Sequence, residues 1–371
     1  MPQQRSIKVR ARASKTRASK IGPQHGLEPH PSTFLYINRD LCAPDRPSLD
    51  KYRDIVFKGK ILQYCDELPL KQIKTIIGPM SFTEYRFGDR NISIFGEAHN
   101  FIGLDECVRV SSLATTIMFQ NFLNMIIRYN PDKFYDFYFE QYYLPKALSE
   151  RRVRLGAGMT SFIDVLFGRC LEYVKEGCEY PNLRAHYVDI RKELEDFEFI
   201  RDLLVSDKTT CPYPTAINIL EKIEDYLLTS RLLIKKELKK SYYGLEIFNF
   251  IVEKFNSLKK YIENTYTDVN SEYLLTVANL IMDAYTLGRM FRRFKEGGNK
   301  PSEITNIIVY AGDGHSGIYR EFIEEILIKK LGVGIVKVAE EHNTEGNCCI
   351  DICEETRRNS SLFIQSRVPS Y

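Results

Sequence analysis

Tryptophan is absent from the 371 residues, so the aromatic content rests on 23 tyrosines and 22 phenylalanines. No run of 18 apolar residues occurs, which leaves no candidate for a helical membrane span. The N-terminal stretch has no apolar core of the kind a secretory signal needs. Its Arg, Lys, Ser and Ala content matches a transit peptide in composition, but Arg5, Lys8, Arg10, Arg12, Lys15, Arg17 and Lys20 are scattered rather than gathered on one helical face. The first twenty residues contain no acid, and their seven cations exceed the net charge of +3 carried by the whole chain. The body is therefore mildly acidic, and nothing in it suggests a nucleic-acid groove. Zinc-type Cys/His spacing, H-E-x-x-H and G-x-S-x-G are also missing, so neither a structural zinc site nor a nucleophile elbow is legible. Nine cysteines at irregular spacing argue against a disulfide framework, for a reducing intracellular compartment and against secretion.

What is present is an apolar fraction of 44%, enough for a sizeable core, on a length that suits two domains or one large α/β domain with insertions. Residues 1–32 read as a disordered basic tail, containing His25 and His30, and residues 33–78 as a mixed lead-in with a helix near 49–76. A first α/β half spans 79–191. In it, "MSFTEYRFGDRNISIF" forms a hairpin, "CVRVSSLATTIMFQNFLNMIIRYN" has helical spacing, and "KFYDFYF" and "NLRAHY" are strands, with a helix at 160–176 between those two. The pattern turns helical over 192–297, with segments at 192–206, 215–240, 243–264 and 270–296. A second α/β part covers 298–354, with strands at 306–311 and 334–339 around a helix at 316–331. Residues 355–371 form a polar tail. The expected fold class is α/β, a central mixed sheet flanked by helices with a long helical insertion.

Two stretches stand out for chemistry. Ile92-Ser93-Ile94-Phe95 empties into Gly96-Glu97-Ala98-His99, and Ile307-Ile308-Val309-Tyr310 empties two residues on into Gly312-Asp313-Gly314-His315. Both are a buried strand followed by Gly, a carboxylate, a small residue and a histidine. Ligands of α/β sheets bind beyond the carboxyl ends of strands. Glu140 ends "FYFE", and His186, Asp189 and Arg191 lie in or just past "RAHYVDIR", so four strand ends carry ionisable groups. Two carboxylates and two imidazoles suit a divalent ion with an open position. Without metal, His99 or His315 suits a general base, a neighbouring acid its tautomer, and Arg191 the developing oxyanion. The spacing leaves the two open. Plainer readings stand beside these. Each acid could cap a Gly turn, His186 could be a satisfied core histidine, Asp189 and Arg191 could pair with each other, and Cys348, Cys349 and Cys353 read as buried strand cysteines. His342 reads as a surface residue.

"FGEAH", "FYFEQ" and "YAGDGH" resemble the Tiki/TraB and erythromycin-esterase-like superfamily, whose members include metal-dependent proteases, metal-independent esterases and haem-uptake proteins. Together with "RAHYVDIR", the pattern is similar to proteins encoded by large cytoplasmic DNA viruses. The resemblance covers roughly residues 80–340, less most of the helical insertion. It implies an α/β hydrolytic site on an ester, amide or peptide substrate, with Glu97, His99, Glu140, His315 and Arg191 as catalytic groups. The metal set it suggests is Glu97, His99, Asp313 and His315 around manganese, cobalt or zinc, with His186 and Asp189 as secondary candidates. The Lys- and Tyr-rich insertion departs from the family and leaves the substrate class open. A different class of function also fits: a non-enzymatic virion-associated protein, in host cytoplasm or virion, whose residues 1–32 bind nucleic acid or a capsid partner.

Overall fold

A computed structural model describes residues 69–98, 115–141, 180–191, 210–229, 233–294, 301–343 and 349–364. The basic tail, the lead-in up to 68, His99, the helices expected at 160–176 and 192–206, Cys348 and the end of the polar tail lie outside those residues. After a 3₁₀ turn at Leu70–Gln72 come β1 (Thr75–Ile77), β2 (Pro79–Phe87), β3 (Arg90–Glu97), β4 (Thr116–Met118), α1 (Phe119–Tyr129), β5 (Tyr135–Phe139) and β6 (Leu183–Tyr187). The helical part holds β7 (Thr210–Cys211), α2 (Tyr213–Thr229), α3 (Leu233–Leu238), α4 (Gly244–Glu263), β8 (Val269–Asn270) and α5 (Ser271–Met290). The chain returns through β9 (Asn306–Gly312), α6 (Asp313–Glu321), β10 (Ile335–His342), β11 (Cys349–Asp351) and α7 (Glu354–Asn359). α6 runs on with π-type hydrogen bonding through Phe322–Lys330.

Six strands form one mixed sheet in the order β10-β2-β3-β9-β5-β6. β2 is antiparallel to both β10 and β3, and β3, β9, β5 and β6 run parallel. The β2–β3 hairpin closes through Gly88-Asp89, where Gly88 takes φ +63°, a conformation that costs other residues more. Alternation along the strands sends Phe95, Tyr310, Phe137 and Phe139 into a core with α1, where Phe119 stacks on Tyr310 at 4.3 Å. Ile94, Val309 and Tyr138 face the other way, into a core built with α2, α4, α5 and α6. Among the described residues, α1, which follows β4, thus packs on one face and α6, which follows β9, on the other.

Three local expectations change. Of the helix expected at 49–76, the described residues form instead the 3₁₀ turn and β1, whose β-branched Thr75-Ile76-Ile77 is buried throughout. Thr116-Ile117-Met118, expected as helix, pairs in parallel with β1, and β11 pairs antiparallel on its other side, making a second, three-stranded sheet. The helix expected from 316 begins at Asp313, which puts His315 in its first turn. Cys349 is buried in β11 as expected, and it is disulfide-bonded. Cys353 is not a strand cysteine: its Sγ accepts from the Thr356 amide and caps α7. No helix among the described residues is long and apolar enough to cross a membrane.

Candidate functional site

His315 is the centre of the ionisable cluster at the strand ends. Its Nδ1 lies 2.6 Å from Asp283 Oδ1 on α5, and its Nε2 lies 3.3 Å from Glu140 Oε1, just beyond β5. Asp283 is nearly inaccessible, in a helix whose residues from Leu280 to Met290 are all buried. A charge there is costly unless it is paired, and the imidazole supplies the pair. Burial works against the charged form of His315, and the positive end of α6 does too. The Asp283 and Glu140 carboxylates outweigh both and push the imidazole up to about 10. At neutral pH it is a cation whose Nδ1–H binds Asp283 tightly. Its Nε2–H is held by Glu140 at more than the usual charge-assisted distance of roughly 2.7–2.9 Å.

Glu140 is fixed from three sides. Its Oε2 accepts the Gly312 amide at 2.7 Å, where the start of α6 favours an anion. Its Oε1 accepts from Arg191 Nη2 at 3.1 Å as well as from His315. Arg191 forks onto Asp189 through Nε at 2.8 Å and Nη2 at 3.1 Å, and donates through Nη1 to Asn279 Oδ1 at 2.6 Å. Burial opposes its charge, but Asp189, with Glu140 and Asp283, holds the guanidinium above its ordinary value. These bonds use four of the five N–H groups of a guanidinium. Arg191 therefore positions Glu140 and has one hydrogen left for anything else, less than the oxyanion role expected of it. The pairing of Asp189 with Arg191 is also present, and it belongs to the cluster.

Asp313 points elsewhere, which corrects its place in the metal set. Its Oδ1 accepts from Ser81 Oγ and, at 3.2 Å, from Arg320 Nη2, while Arg320 Nη1 donates to Ser81 at 2.9 Å. The carboxylate lies over Gly96: a Cβ there would sit 2.2 Å from Asp313 Oδ1 and 2.5 Å from Ser81 Oγ. The glycine of the first motif makes room for the acid of the second. Glu97, buried at the last position of β3, is in register with Gly312 across the parallel pair. His99 lies outside the described residues.

His186 belongs to a different cluster and is a core histidine. Its Nε2 lies 2.7 Å from Asp136 Oδ1 and its Nδ1 accepts from Arg289 Nη2 at 2.9 Å, which fixes the Nε2–H tautomer. Asp136 is also held bidentately by Arg184 at 2.5 and 2.8 Å and by Thr305 at 2.6 Å. His186 stacks on Tyr138 and Phe294 at 4.3 and 5.2 Å between ring centres. Burial lowers His186 to about 4 against the pull of Asp136, with the Arg289 and Arg184 charges adding to the lowering, so the ring is neutral. His342 is surface-exposed and 3.3 Å from Glu340.

Sequence reasoning missed Asp283, Asn279 and the Asp136 cluster. The signal for Asp283 was a lone carboxylate inside "NLIMDAYTLGRM", where apolar residues surround it on every helical face. Among the described residues no group of three or more His, Cys, Asp or Glu side chains is gathered as a metal site. His315 Nε2 and Glu140 Oε1, 3.3 Å apart, nevertheless fit two positions of one ion, since donors each ~2.1 Å from a tetrahedral centre stand roughly 3.4 Å apart. Asp283 on Nδ1 is the outer partner that a metal-bound imidazole commonly has. Comparison of the chain with family models, with curated proteins and with solved structures finds no match in any of the three.

Proposed function

We propose that this protein is a hydrolase of ester or amide bonds, with His315 and Glu140 at its reacting centre. The observation that carries the reading is a buried, charged histidine held between two carboxylates where the central parallel strands end. The looser of its two contacts faces Glu140, so the Nε2 proton is the one a leaving group can take. Asp283 orients the ring and stabilises its charge, the part the third group of a catalytic triad plays. Arg191 and the Gly312 amide hold Glu140 in place. Water needs a base of its own, and Glu97, at the end of the neighbouring strand, is the candidate among the described residues.

The spacing of His315 and Glu140 favours a second form of the same reading, in which the pair holds a divalent ion. Such an ion would lower the pKa of bound water. His315 must then give up its Nε2 proton, so occupancy rises with pH.

The test is turnover of 4-nitrophenyl acetate and butyrate and of a fluorogenic peptide mixture, with and without added manganese, cobalt or zinc. Wild type should turn over at least one of them, and His315→Gln and Glu140→Gln should lose it while keeping the wild-type circular dichroism. Full activity in folded His315→Gln would remove this histidine from the mechanism. No turnover of any substrate under any metal condition would overturn the hydrolase reading.

A further inference from the structure

The two edges of the six-stranded sheet differ. β6 is buried from Leu183 to His186, whereas β10, at the other end of the strand order, exposes Val336, Lys337, Glu340 and His342. β10 pairs with β2 alone, and among the described residues no strand or loop bonds to the backbone along its outer side. The direction of each backbone group follows from one bond. The Asn343 amide donates to Met80 O at 2.8 Å, so alternation turns Glu341 and Ala339 toward β2 and turns His342 and Glu340 outward. Val338 is the extra residue of a bulge between Lys337 and Ala339, which shifts the alternation by one, so that Lys337 and Ile335 also face outward. The outward positions are symmetric about the bond between Val338 and Ala339. The Ile335 amide already donates to Val333 O at 2.6 Å, so Ile335 offers only its carbonyl.

We propose that β10 is a self-association edge, where a second copy of this chain adds its own β10 antiparallel about a two-fold axis at the Val338–Ala339 bond and joins the two sheets into one. In that register every outward position meets another, Ile335 against His342 and Lys337 against Glu340. No other antiparallel register matches all of them. The charges select the same register. Within one chain Lys337 Nζ lies 3.2 Å from Glu340 Oε2 and 2.8 Å from Glu324 Oε1 on the helix that covers one side of the sheet, so Lys337 and Glu340 share that face. A two-fold axis normal to the sheet keeps each face on its own side. Lys337 then stands directly opposite Glu340 of the second copy, and symmetry makes the contact twice. Charges and bulges ordinarily guard an exposed edge against pairing. Here they reject strands that lack the pattern and accept the one that carries it. Nothing in this pairing depends on the hydrolase reading.

The test is the mass of the full chain by sedimentation equilibrium over a range of concentrations. Wild type should sediment as a dimer that dissociates on dilution. Lys337→Glu sets like charges opposite one another twice and should weaken the dimer by roughly tenfold or more; adding Glu340→Lys should restore it. His342→Pro removes one outward amide and none that bonds β2, so it should weaken the dimer while keeping the wild-type circular dichroism. If Lys337→Glu does not fold, His342→Pro and wild-type hydrogen exchange decide. The amides of Lys337, Glu340 and His342 should exchange more slowly as wild-type concentration rises, while that of Glu341, already bonded to β2, should not change. A wild-type monomer at every concentration would overturn the proposal. So would a dimer that folded Lys337→Glu and His342→Pro leave intact, or slowed exchange that spares these three amides. A double variant that stays monomeric would overturn the Lys337–Glu340 register.

Discussion

Replacing Gly96 with alanine should destabilise the fold, although Gly→Ala in a strand interior ordinarily gains about 0.5–1 kcal/mol. The added Cβ would lie 2.2 Å from Asp313 Oδ1, 2.5 Å from Ser81 Oγ and 3.0 Å from Asp313 Cα. The first two are side-chain atoms that can move, but only by breaking the Ser81–Asp313–Arg320 bonds. The third is backbone at the start of α6. Overpacking of this kind costs about 1–3 kcal/mol, and loosening a carboxylate's hydrogen bonds adds about 1–2 kcal/mol. The expected net loss is therefore about 2–4 kcal/mol, because the clash exceeds the propensity gain. Asp313→Ala alone should cost about 1–2 kcal/mol, from bonds that are partly exposed. The double variant should lose less than the two singles together, by about 1–2 kcal/mol, since Asp313→Ala removes the closest obstacle and frees Ser81 Oγ to turn away, leaving the residue 313 Cα. Urea unfolding followed by circular dichroism measures all four proteins. A Gly96→Ala midpoint indistinguishable from wild type, or strictly additive losses, would refute the packing argument.

Three more outcomes follow from the ionisable clusters. His186 stays neutral in the folded protein down to about 4, while an unfolded histidine protonates near 6.5. The unfolded state then binds more protons, so the stability from His186 is full above about 6.5 and is lost as pH falls towards 4, on the order of 2–3 kcal/mol. Urea midpoints at pH 7.5, 6, 5 and 4.5 should show that slope, and His186→Asn should flatten it. Arg184→Met removes the bidentate partner of fully buried Asp136 and should cost about 3–5 kcal/mol, whereas Arg358→Met, in an exposed pair with Glu354, should leave the midpoint unchanged. Arg191→Lys keeps the charge but not the fork that spans Asp189, Asn279 and Glu140. A loss of about 2–3 kcal/mol is expected, with a lower kcat/KM on any ester that wild type hydrolyses.

The α/β class, the strands with a carboxylate or histidine near each end, and most helix positions between residues 213 and 290 could be read from the chain, because each rests on local periodicity. Runs such as Ile307–Tyr310 can only be buried strand when glycine follows so closely. The β1–β4–β11 sheet could not be read, since three-residue strands acquire their identity from partners about 40 and 275 residues away. The same division separates the site residues. The two Gly-acid-x-His stretches were visible as local patterns, but each acid was assigned to the histidine beside it. In the folded chain Asp313 turns to Ser81 and Arg320 over the space left by Gly96, and His315 takes its partner from Asp283, on another helix. Local sequence determines which residue types arrive at a strand end. Which of them face one another depends on strand order, helix packing and the direction in which each side chain leaves its element, and only the tertiary structure decides that.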